Sequence, residues 1–363
     1  MQIGIMGLPG SGKTTVFNAL AHARAAVGGY TAASAEPNLA VVKVPDSRLD
    51  QLAPLFEPKK FTPAEVQYVD VAGIVRGSGK DSAGALFAHL RNVEVLLQVV
   101  RAFGSLASHG SDPTPLDDLN GLNLELILAD LDVVEKRLDR VQKEAKLNKG
   151  TPAERLVREQ ELELFTRLQA TLAAERPLRE IELTPVEERS LRGYGLLTAK
   201  PMLVLFNVDE PGPAADALTE QAQVALGPHA EAVSLAGKLE MELAELPPED
   251  AAEFMEMYEI TESGLARVIQ ISYRLAQLLS FFTVGEDECR SWPLDKGADV
   301  VAAAGCIHRD LAEKFVRANV IGYDDFLACG YSEKEAKAKG LNRTEGKSYV
   351  VKDADIIHIL ASS

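Results

Sequence analysis

The segment Gly7-Leu8-Pro9-Gly10-Ser11-Gly12-Lys13-Thr14 constrains this chain more than any other. It is a complete G-x-x-x-x-G-K-[ST] motif between an apolar run, Ile3-Gly4-Ile5-Met6, and a helical pattern opening on Val16-Phe17-Asn18-Ala19-Leu20. Glycines in such a loop let the backbone curl until its amides face phosphate oxygens. The lysine reaches the β and γ phosphates, and the next hydroxyl is offered to Mg²⁺. The helix that follows adds the positive end of its dipole. The spacing predicts a strand–loop–helix unit of an α/β domain in which Gly10, Ser11, Gly12, Lys13, Thr14 and Thr15 hold a triphosphate. Lys13 is expected to neutralise charge on the transferring phosphate, and Thr14 to ligate the metal.

Further along, Val66-Gln67-Tyr68-Val69 reads as a strand that delivers Asp70 and then Val71-Ala72-Gly73. An aspartate at a strand end accepts from metal-bound water, and Gly73 offers its amide to the γ phosphate. Upstream, the polar stretch Tyr30–Asn38 is placed to add a switch hydroxyl to the metal shell, with Ser34 the preferred ligand and Thr31 its rival. Ile74 follows Gly73 where familiar small GTPases carry a glutamine, and an isoleucine cannot orient water by hydrogen bonding. Hydrolysis is therefore expected to be slow alone, or to use a displaced side chain, a monovalent cation or a partner. The glycine-rich loop Arg76–Gly84 reads either as a segment that moves on binding or as an exposed linker.

The strand Leu203-Val204-Leu205-Phe206 leads into Asn207-Val208-Asp209-Glu210, where a guanine site has N-K-x-D. Val208 replaces the lysine and Glu210 the terminal aspartate, which puts guanine selection in doubt. Asn207 retains an amide able to pair with an adenine edge. A later strand ending in Ser234-Leu235-Ala236 supplies a second wall for the base.

The net charge of −16 over 363 residues argues against a protein coated with basic residues for nonspecific nucleic-acid binding. Residues 121–175 carry a net −2 and 281–363 a net −3, so these are the less repulsive segments for RNA or an acidic surface. Cys289, Cys306 and Cys329 are widely spaced, which reads as a reducing cytosol. No signal-peptide pattern opens the chain, and no segment reaches the roughly 18 apolar residues of a membrane span.

Ile127, Leu131, Val134, Leu138, Val141 and Ala145 recur at alternating four and three, the seam of a coiled coil. Asn148-Lys149-Gly150 breaks the helix. Thr151-Pro152-Ala153-Glu154 then opens a return helix bearing Val157, Leu164, Leu168 and Leu172, so an antiparallel hairpin is expected. Thr184-Pro185-Val186-Glu187 repeats the start signal, and Leu265, Val268, Ile269, Leu275 and Leu278 predict one further helix. From Phe281 the chain changes to short strands and turns, with a short helix over His308–Phe315 and strands at Val350-Val351 and Ile356–Leu360.

Taken in order, the phosphate loop Gly7–Thr15, Glu36-Pro37-Asn38, Pro45–Asp50, Asp70–Gly73, Val99–Phe103, Glu125–Arg137, Asn207–Glu210 and the run Gly305–Asp310 with Val320–Phe326 resemble the YchF family of Obg-related P-loop NTPases over nearly the whole chain. The resemblance implies a TRAFAC-like α/β P-loop NTPase domain over 1–120 and 184–280. It adds an inserted antiparallel helical coiled-coil hairpin over 121–183 and a C-terminal TGS domain, a ubiquitin-like β-grasp, over 281–363. It further implies a cytoplasmic, monomeric enzyme that prefers ATP or uses both ATP and GTP, hydrolyses slowly, and binds the 50S or 70S ribosome and its rRNA through the hairpin and the TGS domain. Asn207, Val208 and Glu210 match its altered base motif, and Ser34 falls on its switch threonine. Its histidine after Arg101-Ala102-Phe103 is matched best by His109, with His89 the other candidate. Gly10-Ser11 stands where the family has Asn-Val, and Thr31-Ala32-Ala33 where it has Pro-Phe-Cys.

Overall fold

The computed structural model describes residues 1–24, 38–71, 87–147, 150–257 and 263–362. Thr31, Ser34, Gly73, Ile74, the Arg76–Gly84 loop and Asn148-Lys149 lie outside the described residues. The strands are β1 (Gln2–Gly7), β2 (Asn38–Lys43), β3 (Lys60–Thr62), β4 (Glu65–Asp70), β5 (Val95–Ala102), β6 (Met202–Val208), β7 (Ala230–Leu235), β8 (Leu278–Thr283), β9 (Glu288–Asp295), β10 (Phe315–Gly322), β11 (Arg343–Glu345) and β12 (Asp355–Ala361). They form two six-stranded sheets, in the orders β2-β4-β1-β5-β6-β7 and β11-β10-β12-β8-β9-β3.

In the first sheet β1 pairs in parallel with β4 and β5, β5 with β6, and β6 with β7. The sequence accounts for this arrangement. Every residue of β6 is buried, as are Val95–Val100 of β5, and near-continuous apolar strands need cover on both faces. Parallel pairing brings the C-terminal ends of five strands to one edge, with Ile5 opposite Asp70, Gly7 opposite Val99, Arg101 opposite Asn207 and Asn207 opposite Leu235. In open α/β sheets that edge is where ligands bind.

The helices Pro115–Lys146 and Pro152–Ala173 form the expected antiparallel pair. Thr151 and Glu154 close a reciprocal capping box at the start of the return arm. Ile127, Val134 and Leu138 share a buried cluster with Leu164, Phe165, Leu168 and Leu172, and Arg137 forks onto both oxygens of Glu161 at 2.8 Å. Two seam assignments need correction: Val157 is exposed and Ala145 only half-buried. Both stand near the hairpin tip.

The second sheet is a β-grasp. β8 and β9 form an antiparallel hairpin, the helix Val300–Ile307 follows, and β12 runs antiparallel to β10 and parallel to β8. Leu278 opens β8 and does not extend the preceding helix, which ends at Leu275. The short helix spans Arg309–Glu313 with His308 as its N-cap, and Val350 makes only an isolated bridge to Asp299.

The chain divides into two compact units, Met1–Ala40 with Gln67–Val268 and Val41–Val66 with Ile269–Ser363. The hairpin lies within the first unit, and residues 41–66 within the second. The physical reason is an amphipathic helix, Ser47–Phe56, capped by Asp46: Leu49 and Leu52 are buried with Phe282, Cys289 and Ile356, and β3 extends the second sheet beside β9. Among the described residues no helix is long and apolar enough to cross a membrane.

Candidate nucleotide site

The loop after β1 turns as its glycines require. Ser11 N–H donates to Leu8 O at 3.1 Å, Gly10 and Gly12 both hold φ of +79°, and the helix begins at Lys13. At Gly12 a second constraint operates: a Cβ there would lie 2.1 Å from Asn207 Nδ2 and 3.4 Å from the Phe103 ring. The loop is thus seated against the ends of β5 and β6 with no room for a side chain. Lys13 Nζ is ion-paired with Asp70 Oδ1, the two side chains 10% and 7% exposed. The cation expected on the phosphates and the carboxylate expected on metal-bound water therefore share one cradle. Thr14 is exposed on the first helical turn and Thr15 half-buried.

Asn207 is buried, and its amide spans two loops: Nδ2 donates to Ser11 O at 3.1 Å, and Oδ1 accepts from Gly237 N–H at 3.1 Å. Its oxygen and one of its N–H groups clamp the phosphate loop to the start of the helix Gly237–Glu245. Val208 is buried, while Glu210 is exposed at the mouth of the loop. Ser234 and Leu235 end β7 beside Asn207, Ala236 caps the next helix, and Arg267 donates to Ser234 O at 3.1 Å.

The segment after β5 carries His109. Asp209 Oδ2 accepts from Gly104 N–H at 2.8 Å, holding the turn that follows Phe103. Gly104, at φ +71°, lies so close to the imidazole that a Cβ would meet His109 Nδ1 at 2.2 Å. His109 presents its edge to Phe103 at 5.2 Å between centroids, and Nδ1 lies 2.8 Å from Ser108 Oγ. Phe103 in turn touches the position over Gly12, so a single ring separates this exposed histidine from the phosphate loop. His89 is placed elsewhere. It is exposed on the helical segment 87–90 that leads toward the N-terminal end of β5, two residues before Arg91, which donates to Gly195 O at 2.9 Å. That is the edge of the sheet opposite the loop.

Sequence reasoning missed Asp209, Gly237 and Phe103 as working parts. Asp209 sits inside the altered base motif, but attention to motif positions passed over it in favour of Glu210. For a metal, Thr14 and Asp70 supply one hydroxyl and one carboxylate at the same strand edge as the phosphate loop. That donor set suits Mg²⁺, which takes few protein oxygens and completes its shell with water and phosphate.

Comparison with known proteins agrees with this geometry. A family model described as "50S ribosome-binding GTPase" matches residues 2–136, and the YchF C-terminal family model, described as "Protein of unknown function", matches residues 278–362. The chain is similar to proteins named "Ribosome-binding ATPase YchF": it is 40% identical to that of Bacillus subtilis over 99% of this chain and 98% of the relative. It is 37% identical to that of Escherichia coli O157:H7, with 99% and 98% covered. The solved structure of the Schizosaccharomyces pombe YchF GTPase superposes with a TM-score of 0.87 at 29% identity, covering 99% of this chain and 97% of that one. A phosphate loop clamped by an asparagine, joined in one chain to a helical hairpin and a β-grasp and matched over its full length by these relatives, places this protein in the YchF family of P-loop NTPases.

Proposed function

We propose that this chain is a Mg²⁺-dependent nucleoside triphosphatase that prefers ATP, also binds GTP, and works in the cytoplasm as a monomer on the ribosome. The observation that carries the reading is the shared cradle of Lys13 and Asp70 at the C-terminal edge of the first sheet, beneath the glycine loop. Lys13 swings from Asp70 to the β and γ phosphates. Thr14 and Ser34 would hold Mg²⁺ directly and Asp70, once released from Lys13, would hold it through a water, while the Gly73 amide would meet the γ phosphate. Mg²⁺ would supply neutralisation of the charge on the β and γ phosphates. His109 is the residue assigned to order water at the γ phosphate, a reading supported by its lying one aromatic ring from the loop. The base rests between the Asn207–Glu210 turn and the Ser234–Ala236 backbone, with Val208 in place of the lysine of guanine sites.

The relatives' name, ribosome-binding ATPase, supports ATP as substrate and the ribosome, 50S or 70S, as partner. The hairpin and the β-grasp, as the TGS module, are the surfaces assigned to rRNA. A GTPase reading is favoured by the description of the matching N-terminal family model. Single-turnover hydrolysis of ATP with and without ribosomes tests the coupling: a changed rate or nucleotide-dependent binding is expected. Neither change would leave a nucleotide hydrolase with no ribosomal role.

A further inference from the structure

β5 and β6 pair in parallel as far as Ala102 opposite Val208 and then part. Just beyond that last pair the exposed Asp209 reaches back across the gap, and its Oδ2 accepts from Gly104 N–H at 2.8 Å. A side chain thus carries the ladder one step further, at the residue on which His109 rests. Gly104 holds φ of +71°, and a Cβ there would lie 2.2 Å from His109 Nδ1 and 2.7 Å from Cε1, so the imidazole packs directly on bare backbone. Phe103, one residue earlier, makes the T-shaped contact with the same imidazole and lies 3.4 Å from the Cβ position over Gly12.

The bonds that build this segment run within it. Ser105 N–H donates to Ser108 Oγ at 2.8 Å, Leu106 N–H to Asp112 Oδ1 at 2.8 Å, and Arg101 Nη2 to Ser111 O at 2.6 Å. His109 Nδ1 lies 2.8 Å from Ser108 Oγ, which fixes the ring on its own short helix, Leu106–His109. Each of these contacts begins and ends within 101–112, so together they stiffen the segment without saying where it sits. The Asp209 bond comes from the end of β6, two residues after the Asn207 that clamps the phosphate loop. A carboxylate accepting from a backbone amide makes a charge-assisted bond, stronger than a neutral one. Its partner is a glycine, the residue with the widest choice of conformations and hence the point about which the segment would swing if released.

We propose that Asp209 is a positioning residue for the hydrolytic step: by holding the Gly104 amide it sets His109, through Gly104 and Phe103, at its distance from the phosphate loop. Its effect on the chemical step rests on the reading of His109 given above; its hold on the place of the imidazole does not. Asp209 acts as an acceptor, and an asparagine retains such an oxygen where an alanine does not. Losing it costs the chemical step with ATP and GTP alike, keeps the affinity for both, and costs nothing more once His109 is gone.

The test uses the full-length chain with Asp209→Ala, Asp209→Asn, His109→Ala and the double change Asp209→Ala with His109→Ala. Single-turnover hydrolysis of saturating ATP is expected to slow about fivefold in Asp209→Ala, the worth of one hydrogen bond, and to stay within about twofold of wild type in Asp209→Asn. In the His109→Ala background the Asp209→Ala change should leave the rate where it was, because the two residues act through one path. Affinity for ATP and for GTP should move less than about twofold in Asp209→Ala. An unchanged rate in Asp209→Ala overturns the proposal, as does the same loss with His109 absent or full turnover in His109→Ala. So does an affinity loss confined to one nucleotide, which would make Asp209 a base contact. The imidazole is also followed by NMR in the nucleotide-free protein carrying isotope-labelled histidine, where the ring current of Phe103 displaces the His109 ring resonance. That displacement should collapse in Asp209→Ala and persist in Asp209→Asn; a resonance unmoved in Asp209→Ala contradicts the positioning. If the wild type hydrolyses no nucleotide, the functional reading fails while the resonance still decides whether Asp209 places the histidine.

Discussion

Asp70 and Asp130 are both buried acids of the first unit, and both face cations, but their surroundings differ in kind. Asp130, on the first hairpin arm, is fully enclosed. It accepts from Leu197 N–H at 3.0 Å, Thr198 N–H at 2.7 Å and Thr198 Oγ1 at 2.7 Å, with Arg91 at 3.5 Å. Burial pushes its carboxyl up, while these three donors pull against it. Next to it Arg179, 5% exposed, donates from Nε to Lys200 O at 3.0 Å, and burial pushes its guanidinium down to about 10. Asp70 instead meets a lysine on a four-carbon stem that rises from a glycine loop. Fixed backbone donors make a carboxylate into masonry, whereas a swinging partner leaves it exchangeable. The sequence alone, which shows two isolated acids beside apolar runs, does not distinguish the two cases.

That contrast can be broken most forcefully at Asp130. Asp130→Ala leaves two amides, a hydroxyl and a cation without their acceptor and is expected to cost about 3–5 kcal/mol. Differential scanning calorimetry should show melting lower by roughly 2–4 °C per kcal/mol, while ATP affinity of the folded protein stays within about twofold. Asp70→Asn should do the reverse, slowing Mg²⁺-dependent turnover about 100-fold, some 2.7 kcal/mol, with little change in melting. If both variants lose stability equally and turnover survives in Asp70→Asn, the distinction is wrong.

A smaller effect sharpens the reading of Asn207. Since its amide clamps Ser11 to Gly237, Asn207→Ala should raise KM for ATP and GTP together, about tenfold each. A change confined to one nucleotide would show that the side chain reads the base.

The smallest effect concerns the capping box at Thr184, where the Thr184 N–H holds the Glu187 carboxylate below its ordinary value of 4.5. Glu187→Gln should cost about 0.5–1 kcal/mol at neutral pH. Because the folded value is depressed, the carboxylate's stabilisation is present above pH 4.5 and fades as pH falls through the lowered value. The gap between wild type and variant should therefore close in acid, and a gap that widens there would contradict the assignment.

What could be read from the sequence was what depends on local spacing. The glycine loop, Asp70 at a strand end, the capping boxes at Thr151 and Thr184 and most of the hairpin seam follow from residues a few positions apart. What escaped depends on loops meeting across the sheet edge. Nothing near Asn207 in sequence reveals that its two partners are 196 and 30 residues away, or that Asp209 secures Gly104 from 105 residues off. The same holds for the helix Ser47–Phe56. The apolar surface that covers its buried face, Phe282, Cys289 and Ile356, comes from the other end of the chain.

Isothermal titration of the full-length chain with ATP and with GTP, each in Mg²⁺, tests the central claim that this sheet edge is an ATP-preferring triphosphate site. ATP is expected to bind at least as tightly as GTP, since Val208 replaces the lysine of guanine sites and Asp209 is held by Gly104. GTP binding tenfold tighter than ATP would contradict it.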